Sequence, residues 1–230
     1  MSLYWLGTQG GTDFPPAHTA LNDPNGLLAA GGDLSEERLL AAYQKGIFPW
    51  YSEGQPVLWW SPDPRTVLAP DAFHTSRTLK KVLRRMPWRI TFNQCFDDVM
   101  IGCAAPRSDQ DGTWITDDMR SAYRALHQSG WAHSIEVHLD DALVGGLYGV
   151  AIDRMFFGES MFSRVSNASK VAMHYLCLQL AQDCFGLLDC QMHTPHLASL
   201  GAENMPRNTF CHLIGRYCRT LKKWRPPQSM

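Results

Sequence analysis

The sequence predicts an α+β protein: a small, loop-rich N-terminal domain over residues 1–63, then a mixed α/β domain over 64–230 with helices packed on a largely antiparallel sheet. Turn signals crowd the first third of the chain, at Asp23-Pro-Asn-Gly26, Gly31-Gly32, Gly46, Glu53-Gly54 and Pro62-Asp-Pro64. Beyond Pro64 apolar residues recur first at helical and then at strand spacing. Ser134-Ile-Glu-Val-His-Leu139 alternates with period two, Asp140-Asp141 makes a turn, and two more strand-like runs follow, the pattern of an antiparallel meander.

Within the first domain there is room for one short helix, about Ser35 to Lys45, stopped by Gly46. A basic amphipathic helix is expected over 76–86. There Leu79, Val82, Leu83 and Met86 fall at i, i+3, i+4 and i+7, and Arg77, Lys80, Lys81, Arg84 and Arg85 fill the opposite face. A strand near 88–93, a helical stretch near 94–102 and a helix near 117–129, ended by Gly130, come next. The meander then runs from 134 to 159, and a helix at 167–182, a strand Leu187 to Met192 and a last helix complete the order β, α, α, β, β, β, α, β, α.

The chain has 230 residues, 45% hydrophobic and 19% charged, and a mean hydropathy of −0.24, which excludes collagen-like, disulfide-scaffold and disordered classes. No apolar run approaches the roughly 20 residues a membrane span needs, and the first residues lack the pattern of a secretory signal, so a cytoplasmic protein is expected. Seven cysteines without a CxxC read as reduced thiols, and no metal site is expected. The net charge of −1 conceals a division. Residues 72–96 and 204–230 each hold six bases and no acid, which leaves the rest at −13, so the molecule suits a polyanion on one side and a cationic group on another.

Three polar side chains stand inside apolar strand patterns: Glu159 in Phe156-Phe-Gly-Glu-Ser-Met-Phe162, and Asp189 with Gln191 in Leu187-Leu-Asp-Cys-Gln-Met192. On a regular strand Asp189 and Gln191 share one face and Cys190 takes the other. An acid among apolar residues is costly unless paired or functional, and spacing alone leaves both readings open. A Cys190 nucleophile with His193 is disfavoured because nothing nearby lowers the thiol pKa. Ser160 and Ser163 lack a G-x-S-x-G elbow. Tyr43, Trp50, Trp59, Trp60, Trp114 and Tyr123 flank turns, where aromatics either stack on a nucleobase or pack between domains, the second being expected of Trp59-Trp60.

At these residues the chain closely resembles the bacterial leucyl/phenylalanyl-tRNA-protein transferase family. The resemblance runs through Pro24-Asn-Gly-Leu-Leu-Ala-Ala-Gly-Gly-Asp-Leu34, Tyr43-Gln-Lys-Gly-Ile-Phe-Pro-Trp50, Trp59-Trp-Ser-Pro-Asp-Pro-Arg65 and Gly112-Thr-Trp-Ile-Thr116. It continues through Leu143-Val-Gly-Gly-Leu-Tyr-Gly-Val150, Phe157-Gly-Glu-Ser-Met-Phe-Ser-Arg164, Asp189-Cys-Gln191 and His196-Leu-Ala-Ser-Leu-Gly-Ala202, covering about three quarters of the chain. Glu203-Asn-Met-Pro206 departs mildly from the family's more apolar pattern.

The resemblance implies an N-acetyltransferase-like (GNAT-like) second domain. It also implies transfer of Leu or Phe, and Met less well, from aminoacyl-tRNA to proteins beginning with Arg or Lys, which marks them for N-degron degradation by a monomeric enzyme. Aminolysis of an activated ester requires neither ATP nor metal, so no cofactor is expected. By resemblance Asp189, Gln191 and Glu159 form the catalytic centre. Leu147, Phe156, Met161 and Leu188 would line the aminoacyl pocket, and Trp50, Trp114, Tyr43 and Tyr123 would surround the terminal adenosine. The basic helix would take the tRNA acceptor arm through Arg77, Lys80, Lys81, Arg84 and Arg85. An acyl-CoA N-acetyltransferase is the rival on the same fold, but its R/Q-x-x-G-x-G/A turn corresponds here to Arg164-Val-Ser-Asn-Ala-Ser169, without either glycine. A non-catalytic RNA- or degron-binding module is the other rival, and it would have no use for Asp189 beside Gln191.

Overall fold

The computed structural model describes residues 3–8, 11–105 and 115–230. The first third, expected to hold one helix among loops, contains that helix, α1 (Glu36–Tyr43), and a four-stranded sheet as well. Its strands are β1 (Tyr4–Leu6), β2 (Leu27–Gly31), β3 (Phe48–Pro49) and β4 (Leu58–Trp60), in the order β1-β2-β4-β3. Strands of two to five residues are too short for alternation to register, and Gly31 and Pro49 read as turn residues.

The larger sheet has seven strands: β5 (Arg65–Leu68), β6 (Arg89–Phe92), β7 (Ala132–Leu139), β8 (Ala142–Ile152), β9 (Met155–Ser163), β10 (Leu187–Gln191) and β11 (Glu203–Met205). They lie in the order β11-β5-β10-β9-β8-β7-β6, and every pair is antiparallel except β9–β10. The helices are α2 (Arg77–Arg85), α3 (Phe96–Ala104), α4 (Asp117–Gln128), α5 (Ala168–Gln182), α6 (Pro195–Ser199) and α7 (Arg207–Tyr217). The parallel pair needs a crossover, and α5 supplies it. β5, β11 and α6 are additions to the expected order, each of three to five residues.

Local chemistry sets the element ends. Ser76 and Thr116 cap α2 and α4 by accepting from the Leu79 and Met119 N–H groups, both at 3.2 Å. Asp140 and Asp141 take φ of +50° and +62° in the β7–β8 turn, the left-handed geometry that joins two antiparallel strands tightly. Alternate strand residues enter opposite cores. Leu147, Phe156 and Leu188 pack with α2 and α5, whereas Tyr148, Phe157 and Leu187 pack with α1, α3, α4 and the first sheet. The outer edge of β6 is covered by the last residues: Phe92 N–H donates to Gln228 O at 3.0 Å and Met230 N–H to Ile90 O at 3.2 Å. Among the described residues no helix is long and apolar enough to cross a membrane.

Candidate active site

The parallel pairing of β9 and β10 lasts from Leu187↔Met155 to Asp189↔Phe157; beyond it β9 stays with β8 as far as Ser163 while β10 runs on to Gln191 paired with β5. The strands therefore part, and a cavity of about 100 Å³ opens between them. Leu147, Met161 and Leu188 line it, joined by Met173 and Leu176 from α5 and Leu197 from α6. Phe156 is a correction. It is not among the residues that line the cavity; it is fully buried, with its ring 5.9 Å from that of Trp224.

Two bulges aim the polar groups into the head of this cleft. The β8–β9 register passes from Tyr148↔Ser160 to Gly149↔Gly158 and leaves Glu159 as the extra residue. The β10–β5 register passes from Asp189↔Val67 to Gln191↔Thr66 and leaves Cys190 extra, with Gln191 at φ +62°. Such insertions bend a strand and redirect its side chains, so the alternation expected of Asp189, Cys190 and Gln191 does not hold. Gly149 is required opposite the first bulge, since a Cβ there would meet Phe157 O at 2.2 Å.

The bulges bring Gln191 Nε2 to 3.0 Å from Glu159 Oε1. Tyr43 OH donates to the same oxygen at 2.8 Å and Tyr123 OH to Oε2 at 2.9 Å, and the two hydroxyls also touch each other. Burial pushes the Glu159 carboxyl up to about 8, outweighing the tyrosine hydrogen bonds, with the Asp189 charge adding to the rise. Burial, and then Glu159, hold the Tyr43 and Tyr123 phenols well above their ordinary range. Tyr43 and Tyr123, expected to stack on the terminal adenosine, are 1% and 0% exposed, so they present hydroxyls to the site and their ring faces to the core.

Asp189 is fully buried and fully engaged: Arg65 Nε and Nη2 donate to its two oxygens at 2.8 and 2.6 Å, and the Gln191 N–H donates to Oδ1 at 2.9 Å. Arg65 is the residue that sequence reasoning passed over. An arginine between a Pro-marked turn and Thr-Val-Leu in β5 carries the same signal as the acids, a charge in an apolar strand pattern.

Burial and the Asp189 carboxylate push the Cys190 thiol well up, which leaves it protonated and unsuited to attack. Trp50 is half-buried with its ring 5.4 Å from that of Trp60, and Trp59 is fully buried with Nε1 donating to Gly31 O at 2.9 Å. Trp114 lies outside the described residues. Arg77, Lys80, Lys81, Arg84 and Arg85 are all exposed on α2, and none is in an ion pair among the described residues. α2 begins against α5, where Thr75 Oγ1 lies 3.5 Å from His174 Nδ1, next to the cavity-lining Met173. Among the described residues one cluster has metal-ligand chemistry, Cys95 at the start of α3 with Glu136 and His138 on β7, and two of its groups already bond to Thr91, which donates to Glu136 Oε2 at 2.6 Å and lies 3.1 Å from His138 Nε2.

Known proteins match along nearly the whole chain. The family model described as leucyl/phenylalanyl-tRNA protein transferase matches residues 67–215, and that of its N-terminal domain matches residues 32–63. The leucyl/phenylalanyl-tRNA–protein transferase of Saccharophagus degradans is 59% identical over 92% of this chain and 87% of its own. That of Pseudomonas fluorescens is 57% identical over 94% and 95%. The solved structure of L-PGS from Bacillus licheniformis is similar at a TM-score of 0.42 and 10% identity, over 71% of this chain and 53% of that one, a likeness on which nothing further rests. The chain belongs to the leucyl/phenylalanyl-tRNA–protein transferase family.

Proposed function

We propose that the cleft between β9 and β10 is where this chain carries out the family's reaction. That reaction is transfer of Leu or Phe from aminoacyl-tRNA to the N-terminal Arg or Lys of an acceptor protein. One observation carries the assignment: Gln191 and Glu159 meet on facing bulges at the head of a small cavity with apolar walls. The aminoacyl side chain enters between Leu147, Met161 and Leu188, where apolar contact separates neighbouring side chains by only about 1–3 kcal/mol per methylene, so selectivity is graded.

The acceptor amine, with a reference pKa of about 7.7–8.0, is partly neutral near pH 7 and attacks the ester carbonyl. The new C–N bond forms, the C–O bond to the ribose breaks, and the amine proton leaves with the ribose hydroxyl. Gln191 Nε2 donates to Glu159, which orients the amide, and its Oε1, the acceptor atom of the group, accepts an N–H from the incoming amine. Alignment does most of the work, since the ester is already activated. Asp189 acts from behind, through the Gln191 backbone.

The same reading gives the exposed basic face of α2 to the tRNA acceptor arm, and Trp50 and Trp114 to the terminal adenosine. It gives the second domain, from about residue 64, a GNAT-like fold, supported by the crossover α5 and the parting of a parallel pair. A monomer acting in the cytoplasm, where charged tRNA is made and used, completes it.

The test is transfer of labelled leucine from Leu-tRNA to a protein with N-terminal Arg, beside one with N-terminal Gly and one reaction given acetyl-CoA instead. Label on the Arg protein alone, falling at least about 100-fold in kcat for Gln191→Ala, supports the assignment. Full activity of Gln191→Ala would move the centre elsewhere.

A further inference from the structure

We propose that Arg65 is a positioning residue of the transfer centre, which sets Gln191 through Asp189 and ties that setting to the first sheet. The inference rests on the reading of Gln191 as the residue that meets the attacking amine. Arg65 is 1% exposed and held on every side. Its Nε and Nη2 grip both oxygens of Asp189 at 2.8 and 2.6 Å, and its Nη1 donates to Gly46 O at 3.1 Å. Its guanidinium carbon lies 4.7 Å from the Phe48 ring and 4.6 Å from the Phe210 ring, which come from β3 and α7.

A charge-neutralising partner for Asp189 needs one contact. This guanidinium is fixed in plane and in rotation, so the carboxylate it grips is fixed too. The Asp189 Oδ1 then accepts the Gln191 N–H at 2.9 Å, which holds Gln191 at φ +62°, a backbone conformation that side-chain-bearing residues adopt sparingly. From that conformation the Gln191 amide reaches Glu159. The chain of contacts thus runs from Gly46 and Phe48, through Arg65 and Asp189, to the amide at the head of the cleft. Arg65 is not among the residues that line the cavity and reaches it only through Asp189, so its effect belongs to orientation and not to donor affinity.

Steady-state transfer by the full chain, with kcat and KM measured for Leu-tRNA and for an Arg-starting acceptor, tests this with Arg65→Lys, Gln191→Ala and the double variant. Lysine keeps the charge but grips only one oxygen. The expected result is a kcat lower by about 100-fold in Arg65→Lys, the scale of a misplaced catalytic group, with both KM values within about twofold and a double variant no slower than Gln191→Ala. If Gln191→Ala has wild-type kcat, the reading of the centre fails. If Gln191→Ala is slow but Arg65→Lys is not, or if the two losses multiply in the double variant, the positioning role is overturned. Phe48→Leu keeps the ion pair and an apolar contact while removing one ring from the guanidinium, so it answers the same question should Arg65→Lys not fold. It is expected to lower kcat severalfold at unchanged KM, and a wild-type kcat in that variant would equally overturn the proposal.

Discussion

Between about pH 4.5 and about 8 the folded chain keeps a proton on Glu159 that the unfolded chain releases, because burial raises this carboxyl from 4.5 to about 8. The native state then binds more protons than the unfolded one, so stability falls as pH rises across this window, by no more than about 1.4 kcal/mol per pH unit for one group. Its contribution is complete below pH 4.5 and gone once pH passes through 8. Glu159→Gln removes the titration and keeps the shape. Urea unfolding at pH 5 and pH 8 is expected to show a larger loss for the wild type than for Glu159→Gln; equal losses would mean that the carboxyl is ionised across the window. Glu159, Asp189 and Gln191 were legible in the sequence because polar groups in apolar strands are costly without a partner. Arg65 carries the same cost but sits inside a proline-marked motif, which reads as a turn with a surface base. Tyr43 and Tyr123 were legible as site residues but not in how they act, since a turn-flanking context does not say whether a ring face or a hydroxyl is presented.

α2 was legible almost to the residue, because nine residues with a clean apolar stripe and a serine cap leave one solution. Its exposed face permits a sharp test. Replacing Lys80 and Lys81 by Gln is expected to lower the slope of log K against log salt for tRNA by about 0.7–0.9 for each phosphate no longer neutralised. Thermal stability should change little, as is usual for exposed side chains. Filter binding between 50 and 200 mM salt, as rough limits, reads the slope; an unchanged slope would take the acceptor arm off this helix. The bulges that build the cleft were illegible for the opposite reason. Each inserts one residue into a register defined only by the partner strand, so neither Glu159 nor Cys190 is marked as extra by its own neighbours in sequence. The strands of the first sheet were hidden by their length and by Gly31 and Pro49, which read as turn residues.

The two sheets share no strand pairing, but they are joined in packing. One core cluster takes Leu28 and Trp59 from the first sheet, Leu39 from α1, Tyr123 from α4, Phe157 from β9 and Phe210 from α7. Polar staples cross the same boundary: Arg207 N–H donates to Asp63 Oδ1 at 3.0 Å, Arg207 Nη1 to Ser61 O at 2.6 Å, and Trp131 Nε1 to Glu36 Oε1 at 3.0 Å. Arg65 belongs to this set, since its grip on Asp189 is completed by Gly46 and Phe48. Opening the first sheet would therefore expose apolar surface on both sides and release Arg65, so neither part gains by unfolding first. The expected consequence is a single cooperative transition in urea, with far-UV circular dichroism and tryptophan fluorescence coinciding in midpoint. The eight tryptophans divide evenly, Trp5, Trp50, Trp59 and Trp60 before residue 64 and Trp88, Trp114, Trp131 and Trp224 after it, so fluorescence reports on both parts. A fluorescence change that precedes the loss of ellipticity would mean that the first sheet detaches on its own, and with it the outer half of the clamp on Arg65.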